Sequence, residues 1–393
     1  MQRRSFLAAA ATPALLGQQA ESEPLRVGII GSGGRGSYLT AQFKEVGARM
    51  AAVCDIYEPN LQRGLQAASS GATAHRDYRR LLDDPSLQAV IVATPDHWHA
   101  RMVIDAVNAG KDVYVEKPLC HTIPEGFQMV EATRRTKRIV QVGTQRRSAP
   151  LFQEAKALAD SGVLGDVRLV TSQWMNHQEG LRARELAGAL DWKQWLGSAP
   201  ERPLDPMRFF NWYYFWDYSG GLLIGQAAHI VDCIQWYRNA GAPLAVTCTG
   251  GKVHLENAEI PETASMAMEF PEDFLAVFTI GYKAMRYHWS QDQIQQHHGN
   301  KARLDLGRED YALFEQSSRR IEKPSREKSI PGSFDAATRD HIRNFLDCIR
   351  TRQEPNAPVE AGLNTAIALT MALESLRKGK RITWNRATRE MGG

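Results

Sequence analysis

A glycine run, one aspartate and one lysine are the residues whose types and spacing point first to chemistry. Gly31-Ser32-Gly33-Gly34-Arg35-Gly36 directly follows the apolar run Leu25 to Ile30. A second apolar run, Met50 to Cys54, ends in Asp55. Where a strand feeds such a run, the first glycine permits a tight turn and the second lets backbone approach a pyrophosphate. The third lets the following helix pack on the strand, and its free N–H groups face the phosphates. A carboxylate about twenty residues on binds the adenosine ribose hydroxyls. The candidates for a dinucleotide are therefore Gly31, Ser32, Gly33, Gly34, Arg35, Gly36 and Asp55. A 2′-phosphate would meet a like charge at Asp55, which favours NAD over NADP. Capping of the helix beginning near Pro59 is the structural alternative for Asp55.

Lys117 stands in Glu116-Lys117-Pro118, just after the apolar triplet Val113 to Val115. A lysine at a strand's carboxyl end, in a proline-fixed turn, can point into a ligand crevice. Its ammonium can donate to a substrate hydroxyl and a cofactor ribose together, and it lowers that hydroxyl's pKa. His97 and His99 do not share a helix face and have no third ligand nearby, so no metal is expected.

Holding these residues requires alternating strands and helices. Helices are expected at Ser37 to Val46, Tyr78 to Leu82, His97 to Ala109 and Pro124 to Lys137. Strands are expected at Gln88 to Ala93, Val113 to Val115 and Ile139 to Val142. That alternation predicts an α/β Rossmann domain with a doubly wound parallel sheet, whose ligands sit beyond the carboxyl ends of the strands. Further on, helices are expected at Pro150 to Asp160, Gly221 to Arg238, Asp335 to Arg350 and Val359 to Lys378. Strands are expected at Val167 to Trp174, Ala245 to Val253, Ala264 to Phe270, Phe274 to Ile280 and Lys301 to Leu306. Strands without intervening helices predict an α+β domain with an antiparallel sheet.

The domain plan is a leader over 1–22, the Rossmann domain over 23–147, a substrate domain over 148–384 and a tail over 385–393. The run Phe209 to Tyr218 is dense in aromatics, suited either to stacking on sugar C–H faces or to a core. Trp174, Asn176 and His177 follow a strand and are pocket candidates, whereas His297 and His298 are expected on an exposed hairpin or interface.

A chain of 393 residues with 43% hydrophobic and 23% charged residues is ordinary globular material for two domains. A net charge of +4 gives no case for nucleic-acid binding. Five dispersed cysteines without C-x-x-C spacing point to buried thiols. Arg3-Arg4-Ser5-Phe6-Leu7 before the short Ala-rich run Ala8 to Leu16 resembles a twin-arginine export signal, so a periplasmic location is expected, or a cytoplasmic one if the signal does not function. No other apolar stretch is long enough to span a membrane, so no integral span is expected in the mature chain.

The chain resembles the Gfo/Idh/MocA oxidoreductases, relatives of glucose–fructose oxidoreductase and inositol dehydrogenase. The matching pieces are Val27 to Gly36, Cys54 to Asn60, Ala93 to Ala100, Glu116 to Thr122, Val142 to Ser148 and Gly220 to Trp236. The resemblance implies a second domain with a large open, mostly antiparallel sheet, and a last helix, 359–378, packing back on the first domain. It implies hydride exchange between a tightly bound NAD and a carbinol carbon of a sugar, glycoside or cyclitol, in a homodimer or homotetramer. It maps cofactor contacts onto Thr94, Pro95, His99, Glu116, Lys117, Gln145 and Arg146. It maps the catalytic histidine onto His229. Substrate contacts are then expected from Lys117, Arg146, Trp174, Asn176, Tyr213, Tyr218, His229 and Asp232.

One departure stands out. The family carries an aspartate four residues before the histidine, and Gly225 occupies that place. Asp232, three residues after His229, is the first candidate for the missing carboxylate, so the catalytic set is Lys117, His229 and Asp232. The role can otherwise pass to Lys117 or to a tyrosine such as Tyr213, Tyr214 or Tyr218. Two other functions stay open: a glycosidase working through a retained NAD and a transient keto-sugar, and a non-enzymatic NAD- and sugar-binding protein.

Overall fold

The structure is a computed structural model that describes residues 23–288, 291–318, 320 and 323–393. The expected export signal lies outside the described residues. The first domain runs β1 (Arg26–Ile30), α1 (Gly34–Glu45), β2 (Arg49–Cys54), α2 (Glu58–Ala67), β3 (Thr73–His75), α3 (Tyr78–Leu82), β4 (Ala89–Val92), α4 (His99–Asn108), β5 (Asp112–Val115), α5 (Ile123–Thr136) and β6 (Val140–Val142). Its six strands pair in the order β3-β2-β1-β4-β5-β6. Every pairing is parallel. Val27, Ile29, Val90, Ile91 and Val113 are fully buried, because helices cover both faces of a parallel sheet and its strands must be apolar throughout. The chain reverses direction across the sheet between β1 and β4. Gly31, Ala93 and Glu116 therefore end three neighbouring strands along one crevice. β3 escaped the sequence reading because Thr73, Ala74 and His75 form no apolar run and are at least partly exposed.

The second domain follows with α6 (Pro150–Asp160), β7 (Val167–Met175), α7 (Trp192–Leu196), α8 (Pro206–Phe210), α9 (Gly221–Tyr237), β8 (Ala245–Gly250), β9 (Thr263–Phe270), β10 (Phe274–Gly281), β11 (Gln293–Gly299), β12 (Ala302–Leu306), β13 (Asp310–Glu315), β14 (Arg326–Ser329), α10 (Ser333–Thr351), α11 (Val359–Lys378), β15 (Ile382–Asn385) and β16 (Glu390–Gly392). Ten strands form one sheet ordered β14-β13-β12-β11-β7-β10-β9-β8-β15-β16. Within it β7 and β10 are parallel, and the other pairings are antiparallel. Ala264, Met266, Met268 and Phe270 alternate inward along β9, the period-2 pattern of a sheet with one covered face.

Two helices tie the domains together. α11 packs on the first domain so closely that a β-carbon at Gly126 would meet Leu363 at 2.8 Å and one at Gly362 would meet Val142 at 2.8 Å. α10 covers the parallel sheet, with Phe345 edge-on to Phe43 at 6.2 Å and Tyr114 at 5.9 Å. The sequence reading missed β11, and with it misplaced His297. That ring is fully buried and stacks on Tyr237 at 5.3 Å. Gln293, Gln295 and His297 form the inward row of β11, so its polar sequence hides an interior strand. His298 faces the other side and meets Thr171 Oγ1 at 2.9 Å.

Candidate active site

The glycine run behaves as its spacing requires. Gly31 has φ +87°, and a β-carbon there would meet the Ala93 carbonyl at 2.8 Å. A β-carbon at Gly36 would overlap the Gly31 carbonyl, so only glycine lets α1 sit this close to β1. At Gly34 a β-carbon would meet nothing within 4 Å. No side chain caps the start of α1, which leaves its N–H groups free for an anion. Asp55 is buried at the end of β2. Its Oδ2 accepts from the Ser32 N–H at 2.8 Å and its Oδ1 from the Tyr57 N–H at 2.9 Å. Burial raises its pKa, against the pull of those bonds. It does not cap α2, whose N-cap is Tyr57. Ser32 Oγ donates to the Asn60 carbonyl at 2.8 Å, which fixes the turn.

A cavity of about 480 Å³ opens along Gly31, Gly33, Gly34 and Asp55 and reaches Thr94 and Pro95. Its outer wall is Arg184, Glu185, Ala187, Phe209, Phe210 and Trp212. These residues belong to the long segment between β7 and α9, which crosses over the first domain as a strap. The Glu58 N–H donates to the Ala189 carbonyl at 3.0 Å, and the Ala187 N–H to the Tyr57 hydroxyl oxygen at 2.9 Å. Trp98 Nε1 donates to the Trp195 carbonyl at 2.8 Å. The sequence showed this segment only as an aromatic run. Its role depends on anchors in Tyr57, Glu58 and Trp98 that are far away in the chain.

The chemical end lies where β4, β5 and α9 meet. His99 spans two strand-end turns, with Nδ1 at 2.8 Å from the Pro118 carbonyl and Nε2 at 3.0 Å from that of Thr94. It fixes those turns and does not line the cavity. Glu116 Oε1 pairs with Arg35 Nε at 2.7 Å. Burial pushes the Glu116 pKa up, but the Arg35 guanidinium and Lys117 hold it below the usual value. Glu116 and Arg35 therefore satisfy one another. A cis peptide bond joins Lys117 to Pro118, and Lys117 Nζ donates to the Gly225 carbonyl at 3.1 Å. Burial lowers the lysine's pKa, opposed by Glu116 and Asp96. Asp96 was not singled out as a site residue; it accepts from Ser219 Oγ at 2.6 Å inside the same wall.

His229 is buried one turn beyond Gly225, its ring 6.2 Å from that of Trp174. Burial, then Lys117 and Arg146, push its pKa well down, so its imidazole is neutral. Its Nδ1 has no hydrogen-bond partner among the described residues, and neither do Trp174 Nε1, Arg146 Nε and Gln145 Oε1. Buried polar atoms seldom stay unpaired, and this set suits a ligand rich in hydroxyls. Arg146 lies among Phe152, Trp174 and Phe334, at 5.1, 5.9 and 6.0 Å from their centroids, and bonds Gln293 Oε1. Asn176, half-buried after β7, accepts from the His177 N–H at 2.8 Å.

Two of the expected substrate contacts belong elsewhere. Asp232 accepts from Arg147 Nε through both oxygens, at 2.8 and 2.9 Å, and the guanidinium lies 5.5 Å over Trp236. Three residues on from His229, its side chain turns toward the strand-end turn that carries Arg147, so it cannot orient the imidazole. Tyr218 is fully buried, 4.6 Å from Trp195 and 5.3 Å from His97. It is core to the strap. Tyr213, by contrast, comes to the Lys117–His229 turn, its hydroxyl lying against Gly225.

Comparison with known proteins agrees with this geometry. Residues 25–144 match the model of an oxidoreductase family with an NAD-binding Rossmann fold, and residues 152–304 match the GFO/IDH/MocA C-terminal domain. Inositol 2-dehydrogenase 2 of Saccharopolyspora erythraea is 38% identical over 248 residues, 62% of this chain and 63% of that protein. Inositol 2-dehydrogenase of Gluconacetobacter diazotrophicus is 35% identical over 159 residues, 40% of this chain and 47% of that protein. The chain thus spans less than two thirds of either relative's length. A levoglucosan dehydrogenase solved with NADH and levoglucosan superposes with a TM-score of 0.73 at 17% identity, covering 92% of this chain and 99% of that one. Scyllo-inositol dehydrogenase of Lactobacillus casei, solved with NAD(H) and scyllo-inositol, gives 0.68 at 20% identity over 92% of this chain and 99% of that one.

Proposed function

The chain belongs to the Gfo/Idh/MocA family of NAD-binding oxidoreductases, and on that premise we propose that it oxidises a carbinol carbon of a sugar, glycoside or cyclitol. The observation that carries the reading is the bond from Lys117 Nζ to the Gly225 carbonyl, which puts the lysine one helical turn before His229, while Thr94 and Pro95 at the neighbouring strand end line the dinucleotide cavity. The relatives named above act on inositol, and a structural neighbour holds levoglucosan; both are polyhydroxylated rings. Bound nicotinamide supplies the hydride acceptor. Lys117 donates to the reacting oxygen and stabilises its developing negative charge. The neutral His229 imidazole takes the hydroxyl proton as the C–H hydride leaves, so one alcohol becomes one carbonyl. Asp55 holds the adenosine ribose, and the α1 start holds the pyrophosphate.

The strap favours a second reading. A wall of Arg184, Ala187, Phe210 and Trp212 over the dinucleotide cavity suits a cofactor that is retained. Retention allows the hydride to return to the product, as in a glycosidase that passes through a keto-sugar. In both readings the N-terminal segment directs export, with the protein working as a homo-oligomer in the periplasm. Signal-dependent secretion and light scattering test these two points, and a monomer ends the second.

The deciding experiment is the absorbance spectrum of protein purified without added cofactor, before and after inositols, levoglucosan and aryl glycosides. A rising reduced-nicotinamide band supports the dehydrogenase. Aglycone release without a net change supports the redox-neutral reading. Bound NAD that responds to nothing in the panel counts against both and leaves the non-enzymatic binding protein.

A further inference from the structure

Tyr57 stands two residues past Asp55, where the dinucleotide crevice and the strap meet. Its backbone serves the cofactor side, the N–H donating to Asp55 Oδ1 at 2.9 Å. Its side chain is buried and serves the strap. The hydroxyl oxygen accepts from the Ala187 N–H at 2.9 Å. The ring lies edge-on to Phe209 at 5.1 Å and to Phe210 at 6.0 Å. Ala187, Phe209 and Phe210 are also wall residues of the cavity. Opposite Leu190, Tyr57 forms an antiparallel bridge. On its two sides the Glu58 N–H donates to the Ala189 carbonyl at 3.0 Å and the Asp191 N–H to that of Ile56 at 3.3 Å. So short a ladder is weak by itself, and the tyrosine ring and hydroxyl supply the rest of the grip. Gly188 lets the strap come this close: a β-carbon there would meet Pro59 Cδ at 2.9 Å, at the start of α2.

We propose that Tyr57 is a positioning residue that locks the strap over the adenosine half of the dinucleotide, so that bound NAD leaves only after the strap has detached from the turn 56–58. This deepens the retained-cofactor reading above and rests on the NAD site, not on the substrate. One residue holds both the carboxylate that receives the ribose and the wall that covers it. The two events are therefore linked. A closed strap fixes the turn that orients Asp55, and a ribose on Asp55 favours the closed strap to the same degree.

The test uses the full chain carrying NAD and three variants: Tyr57→Phe, Tyr57→Ala and Gly188→Val. Two readouts are followed, exchange of bound NAD against excess fluorescent etheno-NAD and tryptic cleavage after the exposed Arg182 and Arg184 of the strap. Tyr57→Phe loses one hydrogen bond and should speed exchange about 10-fold. Tyr57→Ala also loses the ring contacts and should speed it about 10²-fold. Gly188→Val wedges the strap from an exposed position and should approach Tyr57→Ala; it decides the matter where Tyr57→Ala does not fold. The backbone N–H that Asp55 accepts is kept in all three, so a faster exchange reports on the strap. A merely structural tyrosine would lower the Tm and leave the exchange rate of the folded molecules at the parental value. NAD should slow cleavage at Arg182 and Arg184 in the parent, and slow it less in Tyr57→Ala. Parental exchange as fast as that of Tyr57→Ala and Gly188→Val, or parental cleavage that NAD does not slow, overturns the inference. Neither readout involves turnover, so slow exchange in the parent that the variants lose supports the lock even where no panel compound reacts and the redox readings fail.

Discussion

Lys117 Nζ and the Gly225 carbonyl are 3.1 Å apart, so a lysine at the end of the parallel sheet is bonded to the second domain's central helix. One hydrogen bond thus links the helix that carries His229 to the strand ends beside the dinucleotide cavity. Lys117→Met keeps the apolar stem and removes the charge. Turnover should fall about 10²- to 10⁴-fold while NAD content is unchanged. Single-turnover reduction of bound NAD measures this. A variant that retains parental rates removes Lys117 from the mechanism.

Asp55 receives two backbone N–H bonds at 2.8 and 2.9 Å, and its remaining acceptor capacity faces the cavity. Asp55→Ser removes a charged acceptor for the ribose, worth about 1.5–3 kcal/mol, or roughly 10- to 150-fold in NAD affinity by the tenfold-per-1.4 rule. The same change removes the repulsion of a 2′-phosphate, so NADP should gain on NAD. Titration calorimetry on cofactor-stripped protein checks both. Equal losses for the two dinucleotides would show that Asp55 does not read the ribose.

How much of this site could be read in advance depended on how local its causes are. Gly31, Gly36 and Asp55 act through their own turn and the strand beside it, and the structure puts them where their spacing said. Lys117 is a strand-end position that its own motif marks, whereas His229 was marked by the family resemblance and not by its place on the helix. Asp232 failed because helical spacing shows which residues are near on one helix, not which outside partner claims them. Arg147 lies 85 residues away in sequence and takes it. Gly225 read as a loss because the group that fills its space comes from Tyr213 on the strap. β11 was invisible because Gln293, Gln295 and His297 put polar atoms on its inward row.

Buried histidines make stability depend on acid. Burial pushes the His97 and His341 rings down to about 4 and His297 down to about 3, against about 6.5 when unfolded. Below about 6.5 the unfolded chain binds protons that the folded chain does not. Their contribution is therefore complete above that pH and is lost as pH falls toward about 4. At pH 5 each group of this kind costs roughly 2 kcal/mol relative to neutral pH. Urea unfolding at pH 7.5 and pH 5 should show a drop of several kcal/mol. A flat unfolding free energy across that interval would mean that these rings are protonated in the native state.

The Asp232–Arg147 pair separates a structural role from a chemical one. Both side chains are largely buried, at 1% and 11% exposure, and the ion pair joins the first domain's last turn to α9. Removing one partner leaves the other charged and unpaired, which costs about 3–5 kcal/mol. Asp232→Ala should lower the Tm strongly, while the molecules that remain folded, counted by bound NAD, keep kcat within a few-fold. Arg147→Met added to Asp232→Leu should recover much of the stability, because replacing both partners with apolar groups of similar volume is often nearly neutral. If Asp232→Asn instead leaves Tm unchanged and cuts kcat by about 10²-fold, the carboxylate serves His229 after all.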